Sequence, residues 1–330
     1  MRVHPTAQRT ACGLLSVGLL CLCLASTAQA QAEAKEFKAA GPANESVISL
    51  ATNVVSLTVT VTDKQGRHLT NLDQRAFTVF EDQVVQEISF FSNVDAPASV
   101  AVVFDLSGSM HAEKITRAKL ALERFLLNCH PADEFSLIGF NDHAWLALDK
   151  TRDGEQLLRQ FSAATPRGHT ALFDAVALGL THLEHATQPR RVLLIISDGE
   201  DNRSRASLNH VKRMAQESAA VVYAVGITDF FQRRSEGGLV LSELAEQTGG
   251  KAYFPGDAEE MSEAFEKIAL ELRQQYSIGY TPSNFVADGR WRRVKVKVSP
   301  PADTPKIVVH SRPGYYAKSI AHAEMVKAEN

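Results

Sequence analysis

Val100-Ala101-Val102-Val103-Phe104-Asp105-Leu106-Ser107-Gly108-Ser109 is the stretch on which the reading of the whole chain turns. Its first five residues form an unbroken apolar run, the pattern of a strand covered on both faces by helices. The run stops at a carboxylate, and two hydroxyls follow at alternate positions around a glycine. A helical stripe comes next, with Ile115, Ala118, Leu122, Phe125 and Leu126 on one side and Lys114, Arg117 and Glu123 opposite.

Working outward, the alternation continues. Strands are expected at Phe135 to Phe140, Val192 to Ser197, Val221 to Ile227 and Lys251 to Phe254. Helices are expected at Glu155 to Phe161, Leu172 to His185, Leu208 to Ser218, Leu239 to Gln247 and Ala258 to Gln275. Strands alternating with helices imply βαβ units, hence a doubly wound, mostly parallel sheet of the α/β class.

On both sides of this block the period falls to two. Leu57, Val59 and Val61 alternate with threonines, Lys64-Gln65-Gly66 turns the chain, and Phe77 and Val79 start a second strand. Glu81-Asp82-Gln83 turns it again, and Val85, Ile88 and Phe90 continue. Past the block, Tyr276, Ile278 and Tyr280 alternate, Asp288-Gly289 turns, Val294, Val296 and Val298 alternate with lysines, and Lys306 to His310 adds a strand. Neither flank has enough strands for its own core. About six strands from the two flanks are therefore expected to combine into a small β-sandwich, with the α/β block inserted in it. The expected divisions are 1–30 signal peptide, 31–46 flexible leader, 47–97 N-terminal β segment and 98–275 α/β domain. A C-terminal β segment at 276–316 packs with 47–97, and 317–330 is a flexible tail.

The segment 1–30 has a basic start at Arg2 and Arg9, an apolar run to Ala25 and small residues at Ala28-Gln29-Ala30, the form of a secretory signal. The apolar run is too short to span a bilayer, for which about 20 residues are needed. An exported, periplasmic or extracellular protein without a membrane span in its mature form is expected. Cleavage after Ala30 removes Cys12, Cys21 and Cys23 and leaves Cys129, expected as a buried or half-buried structural thiol. Of the 330 residues, 35 are Lys or Arg and 38 Asp or Glu, a net charge of −3 that argues against a nucleic-acid partner held by bulk charge.

Asp105, Ser107 and Ser109 lie where open α/β sheets bind ligands, at the carboxyl end of a parallel strand. Gly108 lets the backbone bend between the two hydroxyls. Asp198 follows a second apolar strand, and Thr170 precedes a helix. All these donors are oxygens, which suits a hard divalent cation such as Mg²⁺ rather than zinc. Gly108, His111, Asp142, His169, Gly199 and Glu200 flank the set as outer supports or partner contacts.

Asp-x-Ser-x-Ser at 105–109, Thr170, and Asp198-Gly199, in this order on this alternation, resemble the metal-ion-dependent adhesion site of von Willebrand factor A domains. The likeness spans about 98–275. The flanks from Phe77 to Phe91 and Tyr276 to Tyr316 are similar to exported bacterial VWFA-related proteins of the acidobacterial type. The resemblance implies a metal held by Asp105, Ser107, Ser109, Thr170 and Asp198, with Mg²⁺ or Mn²⁺ as the cofactor. It also implies that the two aspartates act largely through bound water, leaving one position open for an Asp or Glu carboxylate of a partner protein. The implied function is binding or adhesion, not catalysis.

The alternative is a structural cell-envelope scaffold in which the metal only stabilises loops. A metal-dependent hydrolase ranks third, since a haloacid dehalogenase-type phosphatase needs an acid/base Asp where this chain has Ser107. No Gly-x-Ser-x-Gly elbow surrounds Ser107 or Ser109. Helix capping competes for Ser107, Ser109 and Thr170. His182 and His185 share a helix face without a third ligand, and Arg292, Arg293, Lys295 and Lys297 read as a solvated strand face.

Overall fold

The computed structural model describes residues 54–162, 165–227, 235–299 and 306–317. The expected signal peptide, the leader and all but the first residue of the expected tail lie outside the described residues. The described chain opens with four strands, β1 (Val55–Asp63), β2 (Phe77–Glu81), β3 (Val84–Gln86) and β4 (Ile88–Ser92). There follow β5 (Ala98–Asp105), α1 (Ala112–Leu127), β6 (Glu134–Phe140), β7 (Ala144–Thr151), α2 (Gly154–Ser162) and α3 (Leu172–Glu184). Next come β8 (Arg190–Ser197), α4 (Leu208–Glu217), β9 (Val221–Gly226), α5 (Glu236–Glu246), β10 (Ala252–Tyr253) and α6 (Ala258–Arg273). Four strands close it: β11 (Tyr276–Tyr280), β12 (Trp291–Val298), β13 (Ile307–His310) and β14 (Gly314–Tyr316).

The central sheet has the order β10-β9-β8-β5-β6-β7, parallel throughout except for β7. Every residue of β5 is buried, as its apolar run requires. Val100, Val102 and Phe104 pack with residues of α1, α2 and α6, whereas Ala101 and Val103 face α3, α4 and α5. The sheet is therefore doubly wound, and the α/β class is the observed one. β7 had not been expected. It is an antiparallel edge strand with register shifts against β6 and an exposed Leu146, so no clean period of two marks it. α5 starts earlier than its apolar stripe because Gly237 and Gly238, weak helix formers, occupy its first turn, which Ser235 caps by accepting the Gly238 N–H.

Eight strands rather than six lie in the flanks, among the described residues. They form two antiparallel sheets, β13-β1-β11-β4 and β14-β12-β2-β3. Each sheet mixes strands from before and after the α/β block. Leu57, Val59, Ile278 and Tyr280 of one sheet share a hydrophobic cluster with Phe77, Val79, Val294 and Val296 of the other. The stretch Val84–Ser92, expected as one continuing strand, divides at Glu87: β3 pairs with β2 and β4 pairs with β11. The turn between β2 and β3 holds Asp82 and Gln83 at positive φ.

The α/β block leaves and re-enters this layer pair at neighbouring strands, with Ser92 of β4 opposite Ser277 of β11. Arg190, 6% exposed, ties the two passages together. Its guanidinium donates to the carbonyls of Val94 at 3.0 Å and Ala96 at 3.4 Å on the way in. On the way out it donates to Leu272 and, at 3.1 Å, to Gln275.

Candidate metal centre

β5 and β8 are neighbouring parallel strands whose following helices, α1 and α4, lie on opposite faces, so their carboxyl ends bound the crevice at the switch point of the sheet. Asp105 ends β5 and Ser197 ends β8. Asp105 is fully buried: Oδ1 accepts the Ser107 N–H at 2.8 Å and Oδ2 accepts the Ser197 hydroxyl at 2.6 Å. The turn closed by the first bond sets the Ser107 and Ser109 hydroxyls 3.0 Å apart. Ser109 Oγ donates to Asp198 Oδ2 at 2.8 Å. Three oxygen-bearing side chains from two loops thus touch in sequence.

Thr170 is tied through its backbone to the loop that follows Asp198. Its N–H donates to Asn202 Oδ1 at 2.9 Å, and its carbonyl accepts the N–H groups of Asn202 at 3.0 Å and Arg203 at 3.1 Å. The same loop docks on the first one, since the Gly108 N–H donates to the Gly168 carbonyl at 3.1 Å and the Arg167 N–H to the Leu106 carbonyl at 2.8 Å. Ser107, Ser109 and Asp198 are therefore in direct contact and Asp105 lies behind them. Among the described residues, the Thr170 hydroxyl makes no hydrogen bond to the other four.

The capping explanation fails on geometry. α1 is capped at His111, which makes no side-chain cap bond, and neither serine hydroxyl is spent on a helix N–H. α3 is capped at Ala171, and its first free N–H groups go to Asp201 Oδ2 (from Phe173, 3.0 Å) and Ser204 Oγ (from Asp174, 3.0 Å). Asp201, in the acidic loop after Asp198, is a capping residue.

The outer residues take distinct places. Asp142 Oδ1 accepts the His169 N–H at 3.0 Å, and an added Cβ on Gly168, whose φ is +79°, would run into the Asp142 carboxylate. Gly199 has φ +85° and lies against the Gly237 backbone at the start of α5. The Glu200 N–H donates to Asp198 Oδ1 at 3.2 Å, while the Glu200 side chain is exposed. Ser197 and Asn202 were not singled out in the sequence. A serine closing an apolar run was the available signal for the first; an Asn in an acidic loop carried none.

Burial pushes the Asp105 carboxyl up to about 6, and the nearby Asp198 charge adds to this, against hydrogen bonds from Ser107 and Ser197 that lower it. Among the described residues, no Lys or Arg pairs with Asp105 or Asp198. Two carboxylates converge with hydroxyls and lack a cation, although buried charge ordinarily has a counter-charge. Asn141 at the end of β6 adds a buried Oδ1 without a partner. An all-oxygen donor set short of positive charge fits a hard divalent ion. Among the described residues no group of three or more His, Cys, Asp or Glu side chains is placed to hold a metal, so any metal here would depend on the hydroxyls. His182 instead faces Asp149 at 3.6 Å. Cys129 is half-buried, and burial raises its thiol pKa well above the ordinary range.

Residues 100–200 match the family profile of the von Willebrand factor type A domain. Inter-alpha-trypsin inhibitor heavy chain H4 of Bos taurus is 26% identical over 206 residues, covering 58% of this chain and 22% of the relative. The Homo sapiens heavy chain H4 is 25% identical over 208 residues with the same coverage. The chain thus spans 22% of the length of these curated relatives. Among solved structures, the vWF domain of the type V pili tip protein Mfa5 from Porphyromonas gingivalis superposes with a TM-score of 0.46 at 13% identity, over 54% of this chain and 95% of that one. Proximal thread matrix protein 1 from the mussel byssus, with a zinc-occupied MIDAS motif, gives 0.47 at 18% identity, over 57% and 48%. No helix among the described residues is long and apolar enough to cross a membrane.

Proposed function

Starting from a chain that contains a von Willebrand factor type A domain, we propose that it is an exported binding protein of the adhesion type. In this reading it captures a carboxylate of a partner protein through a divalent cation, Mg²⁺ or Mn²⁺. Asp105, Ser107, Ser109, Thr170 and Asp198 would hold the ion, and 98–275 would be a domain inserted between the β segments 47–97 and 276–316. The observation that carries the reading is the contact chain Ser107–Ser109–Asp198, at 3.0 and 2.8 Å, with no cationic side chain paired to it among the described residues.

A bound ion here would supply a directional, under-neutralised positive charge with preference for an anionic oxygen. The protein's part is to keep that charge under-neutralised: the serines bring neutral hydroxyls, and both Asp105 oxygens are held by Ser107 and Ser197. Half-buried Ser109 and the exposed Gly168-His169 loop leave one side of the crevice open to a partner. Direction would come from the site and selectivity from the loops around it. The pairing of Ser92 with Ser277 supports insertion, because it brings the ends of the α/β block together.

Calorimetric titration of EDTA-treated protein with Mg²⁺, repeated with Mn²⁺ and read also by Mn²⁺ electron paramagnetic resonance, tests the reading. One saturable site is expected, abolished in Asp105→Ala and weakened in Ser109→Ala. Equal binding by the wild type and both variants would overturn it. Pull-downs from envelope extract should lose partners on adding chelator; partners retained in chelator would favour the scaffold alternative.

A further inference from the structure

Beside the candidate metal centre lies a cavity of about 610 Å³ whose walls include Asp142, His143, Asp174, Leu178, Arg203 and Arg205. Its charges are not equivalent. Asp174 is occupied by backbone: Oδ1 accepts the N–H groups of Arg205 at 3.1 Å and Ala206 at 2.9 Å, and Oδ2 also accepts that of Arg205 at 3.1 Å. Asp142 is engaged by the His169 N–H and packs under Gly168. Arg203 and Arg205 are exposed, and among the described residues neither guanidinium has a hydrogen bond or an ion pair. The carboxylates serve the loops, and the planar donor forks are left for a ligand.

The cavity and the metal centre adjoin through the loops that carry them. The Arg203 N–H is bonded to the Thr170 carbonyl, and Asp142 holds the Gly168-His169 turn of the same loop. The Gly168-His169-Thr170 turn thus lies between the two sites. We propose that Arg203 and Arg205 form an anion subsite that makes the partner an acidic peptide stretch: one carboxylate at the metal centre and a neighbouring one in the guanidinium forks of the cavity. Guanidinium suits this task because its fixed fork matches a carboxylate, and Leu178 offers an apolar wall to the methylene stem of a glutamate. This rests on the metal-centre reading and adds the identity of the ligand to it.

The test uses the full chain and two labelled Gly/Ser peptides of equal length, one with a single central Glu and one with several adjacent Glu residues. Fluorescence anisotropy is read in Mg²⁺ and in EDTA, for the wild type and for Arg203→Gln/Arg205→Gln. Exposed charge pairs are worth up to about 1 kcal/mol each, so a gain of up to about fivefold per engaged arginine is expected for the multi-Glu peptide. The double variant should erase that gain and leave single-Glu affinity and its Mg²⁺ dependence unchanged. For weak binding, the Arg203 and Arg205 Nε–Hε resonances should move on titration with the multi-Glu peptide. A gain that survives the double variant, or resonances that stay fixed while single-Glu binding remains Mg²⁺-dependent, would overturn the subsite alone. Binding of both peptides that ignores EDTA would overturn the metal reading and the inference resting on it.

Discussion

Ser109 is the hinge of the candidate centre, since its hydroxyl links Ser107 to Asp198 across two loops. It is half-buried, so Ser109→Ala should cost the metal-free protein only about 1 kcal/mol, the ordinary net worth of one hydrogen bond. Metal affinity should fall at least about tenfold, a loss of about 1.4 kcal/mol in binding. Paired urea melts and Mg²⁺ titrations separate the two effects, and unchanged affinity would remove the serine from the centre. Gly199 makes a different demand. Its φ of +85° and its close approach to the Gly237 backbone leave no room for a side chain. Gly199→Ala should therefore destabilise by about 1–3 kcal/mol through strain, and should also weaken metal binding by displacing Asp198. A variant melting with the wild type would contradict this. At this scale the oxygen-rich positions were legible because each lies just after an apolar run or just before a helix. The division of labour was not. Nothing in the string says that Asp201 and Ser204, rather than Thr170, satisfy the first turn of α3, because that pairing spans about thirty residues.

Among the elements, α6 carries the largest mechanical role and the least visible one. Its stripe of Phe265, Ile268, Ala269 and Leu272 faces the helix layer of α1, as the period of 3.6 announces. Glu271 interrupts that rule. It is 1% exposed and accepts hydrogen bonds from Thr60 of β1 at 3.1 Å, Tyr223 of β9 at 2.9 Å and Lys251 Nζ at 2.7 Å. One carboxylate thus fastens the last helix both to the parallel sheet and to an antiparallel one. Glu271→Ala strands a half-buried lysine and two buried hydroxyls, and should cost about 3 kcal/mol in denaturant unfolding. A loss below about 1 kcal/mol would show that the helix is held by its apolar stripe alone. Glu271 reads as a surface residue in sequence because helical periodicity reports burial, not partners. The apolar strands gave their positions away, whereas β7 hid behind register shifts and β3–β4 behind a single uninterrupted alternation.

At the scale of the molecule, the junction between the α/β block and the antiparallel layers is polar, which makes its stability depend on pH. His68, bridged to Thr62 of β1, and His310, opposite Thr60 in β13, both lie near Glu271 and Lys251. Burial lowers both imidazoles below 6.5; the Lys251 charge lowers each further, and Glu271 opposes the shift at each. Between the folded and unfolded values the unfolded chain binds more protons, so unfolding is favoured as pH falls through that window. The full contribution is present above about 6.5 and is lost progressively below it, with the decline ending once the folded imidazoles are themselves protonated. Each histidine adds at most about 1.4 kcal/mol per pH unit to the slope, and less here because both are only partly shielded from water. Urea unfolding between about pH 7 and 5 measures it. His68→Gln/His310→Gln should flatten the acid limb, while Glu271→Gln, which removes the opposing charge, should steepen it. Equal slopes in the wild type and the double variant would place the acid sensitivity elsewhere. The flanks declared themselves as strands of one small core through their period of two, yet this junction could not be read from either flank, because its groups become neighbours only when β1, β13 and α6 close over one another.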